Sequence, residues 1–196
     1  MIKTSTQQLV RAGLWRWIPT AGLERFELLK SAEEWTLRGT ILTLASGEPA
    51  EARYEIFCDL SWNTRHVDIS VRDSNGERNL RIMKENGRWS ENGQVNRTLD
   101  ACHDIDLEWS PSTNTIPIRR LQLPVGEASG LLTAAWVRFP SLTVETLPQE
   151  YRHTSEQQYV YSSRNGSFVA EIAVDDQGLA LDYQGFWHRI QPHGAL

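Results

Sequence analysis

The chain has 196 residues, with 25 acidic against 20 basic side chains for a net charge of −5, and 40% of it is hydrophobic. That is enough apolar material for one core without disulfide or metal staples, and it excludes a disordered or fibrous chain. The acidic balance excludes nucleic acid as the main ligand, because phosphate backbones are bound by clustered Lys and Arg, and the unusual feature is an excess of tryptophan, eight against five Tyr and five Phe.

The first eighteen residues carry Thr4, Ser5, Thr6, Gln7 and Gln8 where an export signal needs an apolar run. The longest nearly apolar stretch, Leu131 to Val137, is far short of the ~20 residues that span a bilayer. The reading is a single cytoplasmic domain over 1–196 with no transmembrane segment. Leu23 to Trp35 is rich in helix formers, and Phe26, Leu29, Ala32 and Trp35 recur every third residue, so pattern alone predicts a helix; the alternative is a strand around Phe26 to Lys30 and then a turn.

From there the period is two. Ala52, Tyr54, Ile56 and Cys58 share one parity, as do Val67, Ile69 and Val71, then Ile105, Leu107 and Trp109, then Phe168, Ala170, Ile172 and Val174, and finally Leu179, Leu181 and Tyr183. Asn-Gly pairs at 75–76, 86–87, 92–93 and 165–166 separate these runs and predict hairpins, so neighbouring strands should be antiparallel. The fold class that follows is mainly all-β.

No catalytic signature is present: no nucleophile elbow, P-loop, dinucleotide fingerprint or zinc-protease helix. Cys58 and Cys102 have no zinc spacing and read as buried free thiols. No cofactor and no metal is expected. Asp104 and Asp106 form a D-x-D, but with Glu108 they also read as the wet face of a period-two strand. Arg65 shares parity with Val67, Ile69 and Val71, and Arg119 with Leu121 and Leu123, so both are expected to point to the apolar side of the sheet. Two accounts stand for them: internal ion pairs with Asp59, Asp104 or Asp106, or a polar floor to a pocket that meets an anionic group. Arg120 falls on the opposite face as a solvated charge. Trp109 and Trp136 read as core, whereas Trp62 and Trp187 sit beside polar residues.

The run Asp104-Ile-Asp-Leu-Glu-Trp-Ser-Pro-Ser-Thr-Asn-Thr-Ile-Pro-Ile-Arg-Arg-Leu121 resembles the signature of the bacterial glycolipid-binding family, approximately D-x-D-L-x-x-x-P-x-T-N-T-L-P-I-R-R-L. Matches before it include Tyr54, Asp59 and Trp62-x-x-Arg65; after it come Ala135-Trp136-Val137, Gln149-x-Tyr151, Tyr159-x-Tyr161, Tyr183 and Arg189. The resemblance implies an open, curved antiparallel sheet with few or no helices, a spiral β-roll or half-barrel similar in shape to lipoprotein-localisation factors. It favours the strand reading of Phe26 to Lys30, and Thr113-Asn114 becomes the turn that opens the Arg119 strand. The positions matching the family motif, and so the candidate site, are Trp62, Arg65, Asp104, Asp106, Asn114, Arg119, Arg120, Trp136, Tyr151 and Tyr183. Trp62 and Trp136 are the expected pocket walls. The implied partner is a lipid or glycolipid-like small molecule, held without catalysis with its apolar body in the concave aromatic-lined face and its polar or anionic head group met by the inward Arg65 and Arg119. The alternative is an enzyme acting on a glycoconjugate or lipid with Asp104 and Asp106 as acid and base.

Overall fold

The computed structural model describes residues 6–190. Strands β1 (Gln8–Trp17), β2 (Gly22–Lys30), β3 (Glu34–Ala45), β4 (Glu48–Asp59), β5 (Thr64–Asp73), β6 (Gly76–Glu85), β7 (Arg88–Glu91) and β8 (Gln94–Val95) form a meander. After β9 (Asp104–Leu107) come a 3-10 turn (Pro111–Asn114) and helix α1 (Thr115–Leu121). A second meander follows: β10 (Leu132–Val137), β11 (Val144–Ser155), β12 (Gln158–Ser163), β13 (Phe168–Val174), β14 (Ala180–Tyr183) and β15 (Trp187–Ile190).

All fifteen strands of the described residues share one sheet, in the order β8 through β1, then β15 through β9. The two meanders join where β1 pairs with β15, with Leu14 opposite Ile190 and Trp17 opposite Trp187. The sheet is open and curved, as the family resemblance implied, and is not closed into a barrel. One pair departs from the antiparallel expectation. The chain leaves β8 at one edge and enters β9 at the other, and β9 lies parallel to β10. A parallel pair needs a crossover, and the 3-10 turn and α1 supply it.

Hairpin chemistry works as the sequence predicts at Asn86-Gly87 and Asn92-Gly93, where both residues of each pair adopt left-handed φ angles of 51° and 76°, and 48° and 82°. These positive angles match the twist of the flanking strands, which type I and II turns do not. Leu23 to Trp35 resolves as strand β2, a turn at Ser31 to Glu33 and the start of β3. Phe26 and Leu28 point inward, and the helical spacing of this segment yields to pairing on both sides.

Parity fails at Arg65. Phe57 pairs with His66 but Cys58 pairs with Thr64, so β5 carries an extra residue at Arg65. This bulge turns buried Thr64 inward and leaves Arg65 exposed, contrary to its expected inward direction. A second expectation fails at Arg119. Thr113-Asn114 opens a helix rather than a strand: Ser110 caps the 3-10 turn by accepting from Ser112 N–H, Pro111 stands where no N–H is needed, and α1 follows. The segment packs against the inner face of the sheet but pairs with no described strand, so its backbone bonds to itself. Thr115, Ile116, Pro117 and Ile118 are all buried there.

The outer face carries a cross-strand row of charge, Glu27, Arg38, Glu55, Asp68 and Arg81, each opposite the next on β2 to β6. The inner face is the core, and both cysteines are buried free thiols. Among the described residues no helix is long and apolar enough to cross a membrane.

Candidate functional site

The inner face of the second meander holds a cavity of about 360 Å³. Trp17 ends β1, Trp187 opens β15, and Tyr183 and Phe186 come from the β14–β15 hairpin. Their rings form one network: Trp17 stacks on Trp187 at 5.8 Å, Tyr183 lies 5.3 Å from Trp187, and Phe186 bridges to Phe168 at 5.2 Å. Trp136 on β10, Leu147 on β11 and Tyr161 on β12 complete the apolar wall, and Ser110, Asn114, Ser163, Glu108 and Arg164 supply polar atoms.

Asp106 projects from β9 into this ring of aromatics, directly beside Trp136 in the parallel pairing. Among the described residues its carboxyl has no hydrogen-bond or ion-pair partner, and burial, with Glu108 and Asp104 nearby, pushes its pKa up to about 7. Glu108, by contrast, is engaged by Arg138 Nε at 3.1 Å and by the Phe139 N–H at 2.8 Å. The Trp17 indole N–H is buried and also lacks a partner among the described residues. Asp106 and the Trp17 indole thus bring an unpartnered acceptor and an unpartnered donor to a site with several π faces. Asn114 donates to the hydroxyl of buried Tyr151 at 2.9 Å, and Tyr151 donates to Gln149, which fixes the Asn114 amide at the cavity wall.

The ten candidate residues divide. Asp106, Asn114, Trp136 and Tyr183 line the cavity, with Tyr151 bonded behind them. Trp62, Arg119 and Arg120 lie in a separate groove at the other end of α1, so Trp62 is not a wall of the aromatic cavity. Arg65 lines neither. The wet-face reading of the D-x-D is overturned, because Asp104 is 2% exposed and Asp106 faces the cavity. So is the solvated reading of Arg120: its Nε and Nη2 donate to the two carboxylate oxygens of Asp104 at 3.0 and 2.7 Å. With Asp104 locked in that bidentate pair, Asp106 stands alone in the cavity rather than as half of an acid–base pair. Asp59 is also spoken for, accepting from the backbone N–H groups of Ser61 and Asn63 at 2.9 Å.

Two features were not anticipated from sequence. Glu24 on β2 is 2% exposed and points inward, where its Oε1 accepts from Tyr54 and from Ser110 at 2.8 Å while Oε2 has no partner among the described residues. Burial pushes its pKa up to about 8, and burial together with Glu24 itself holds the Tyr54 phenol well above its ordinary range. Ser110 carries this network to the cavity wall. Glu24 shares parity with Phe26 and Leu28, a signal readable once the segment is taken as a strand. Arg164 sits on the β12–β13 hairpin with its guanidinium 5.1 Å from the Trp136 ring, which Arg138 also approaches at 4.0 Å. No residue pattern marks it. Among the described residues, no group of three or more His, Cys, Asp or Glu is arranged to hold a metal ion.

Comparison with known proteins agrees with this architecture. A family model described as "Putative glycolipid-binding" matches residues 13–189. The crystal structure of a DUF1089 family protein from Pseudomonas aeruginosa is similar to the chain with a TM-score of 0.80 and 31% identity, covering 92% of this chain and 98% of that one. No curated protein matches.

Proposed function

The chain belongs to the family described as putative glycolipid-binding, and from that premise we propose that its aromatic cavity binds the sugar head group of an amphipathic glycolipid without transforming it. The observation that carries this reading is the unpartnered Asp106 carboxyl within a wall of aromatic rings. A sugar ring presents C–H faces that lie on indole and phenol rings, and hydroxyls that need both acceptors and donors; Asp106 and the Trp17 N–H are one of each. At about 360 Å³ the cavity is at the low end of ligand pockets, a size suited to the head group and not to a whole lipid. The acyl portion would then extend outside it.

Calorimetry with octyl glucoside and with an octyl sulfobetaine, both below micelle formation, tests the reading. The glucoside is expected to bind and the sulfobetaine not. Trp136→Ala and Asp106→Ala should each weaken glucoside binding at least tenfold, about 1.4 kcal/mol. Equal binding of the two amphiphiles, or indifference to both substitutions, refutes it.

A further inference from the structure

A second constellation lies outside the cavity, and the proposed sugar site does not use it. Trp35 and Trp62 stack with ring centroids 5.0 Å apart and planes 22° from parallel. Lys30 Nζ lies 4.6 Å from the Trp35 centroid, and the Arg119 guanidinium carbon lies 5.7 Å from that of Trp62. These four residues, with Ser31, Leu60, Ser61, Arg120 and Gln122, line a groove of about 740 Å³.

The electrostatics of this groove run against those of the molecule. The chain carries a net charge of −5, yet among the described residues no carboxylate lines the groove and three cations do. Arg120 is neutralised by Asp104. Lys30 and Arg119 have no carboxylate within ion-pair distance among the described residues, and the Arg119 Nε is buried without a hydrogen-bond partner. Nine further arginines, among them Arg38, Arg78, Arg81, Arg138 and Arg189, each have an acidic partner, whereas exposed ones such as Arg65 have none among the described residues.

Arg119 is also held in place. Its aliphatic stem packs on Gly178, where a Cβ would come within 3.2 Å of the Arg119 Cδ and where φ is +78°. Trp62 adopts a left-handed φ of +66°, which is costly for a bulky side chain, and Asp59 fixes the loop that imposes it. A planar guanidinium over an indole, unpaired and partly desolvated, is suited to a tetrahedral oxyanion, with a flexible ammonium as second contact.

We propose that this groove is a second binding site, for a phosphate group, with Arg119 as its principal contact and Lys30 as its second. The test is 19F NMR of the full chain labelled with 5-fluorotryptophan, the Trp35 and Trp62 resonances being assigned from Trp35→Phe and Trp62→Phe. One arm titrates inorganic phosphate at ionic strength held constant with chloride; the other adds phosphatidylglycerol or phosphatidylcholine vesicles. A saturable movement of the Trp35 and Trp62 signals is expected with phosphate if the source is a soluble phosphate, and with phosphatidylglycerol vesicles alone if it is a lipid head group.

Arg119→Gln should weaken the response at least tenfold, Arg119→Lys less, and Lys30→Gln about threefold. Arg65→Gln, which removes an exposed arginine outside the groove, should leave it unchanged. The other six tryptophans report whether each variant is folded, and Lys30→Gln carries the test if Arg119→Gln is not. The absence of a saturable response in both arms overturns the proposal, as does an equal loss in Arg119→Gln and Arg65→Gln, which would be charge screening alone.

Discussion

Asp106 and Glu24 bind their protons more tightly in the folded chain than in the unfolded one, because burial penalises the charged carboxylate more than anything nearby relieves it. Between the ordinary carboxylate range and pH 7 to 8 the folded state therefore holds the extra protons, and stability falls as pH rises through that window. Below it both states are protonated and the penalty is absent; above it the penalty is complete. At about 1.4 kcal/mol for each tenfold change in proton affinity, Glu24 costs on the order of a few kcal/mol at pH 9, and Asp106, at the cavity wall, less. The urea midpoint of the wild-type chain is expected to drop between pH 5 and pH 9. Glu24→Gln should remove about half of that drop and Asp106→Asn a smaller part; a Glu24→Gln profile parallel to wild type would show that this carboxyl is not the source. Arginines divide by the same logic of burial. Arg120→Ala leaves the Asp104 carboxylate buried and unpaired and is expected to cost about 3–5 kcal/mol, whereas Arg65→Ala on the outer face should stay within about 0.5 kcal/mol. Thermal unfolding of the two variants checks the contrast, and equal losses would contradict it.

Strands were legible wherever the alternation of burial ran unbroken. β13 spans Phe168–Val174 as the sequence reading has it, and β4 and β5 contain the predicted runs. The failures fall where one local event breaks the period. The extra residue at Arg65 reverses the direction of a single side chain while leaving Val67, Ile69 and Val71 inward. In α1, the parity of Arg119 with Leu121 imitates a strand, but Ser110 and Pro111 start a helical turn and no described strand pairs with it. Close packing between elements is equally specific. Gly39 on β3 lies under the Tyr54 ring, and a methyl group there would overlap it. Gly39→Ala should therefore displace Tyr54 from Glu24 and lower stability by about 2 kcal/mol or more, within the 1–3 kcal/mol usual for overpacking. An unchanged urea midpoint would mean that the ring moves without cost.

At the scale of the whole molecule, the sheet curls until its two ends are linked by side chains instead of a strand ladder. Lys84 on β6 donates to the carbonyls of Cys102 and His103 at 3.1 and 2.8 Å, and the Trp89 indole on β7 donates to Cys102 at 3.1 Å, just before β9 begins. Arg78 reaches the Pro140 carbonyl at 3.1 Å. These bonds hold the curve that encloses α1, and α1 in turn separates the aromatic cavity near Asn114 from the cationic groove at Arg119. By itself the sequence determined the β class, the hairpins, the inward direction of most alternating residues and the family, because strand period and turn chemistry are local and a long motif is specific. Only the tertiary structure decided which candidates share a site. It gave Asp104 to Arg120, left Asp106 alone among the rings, moved Trp62 and Arg119 to a second place and brought Trp17 from the first strand against Trp187 near the end of the chain. The physical reason is that parity fixes the face of a sheet on which a side chain lies, whereas its partners depend on curvature, bulges and the crossing of distant segments.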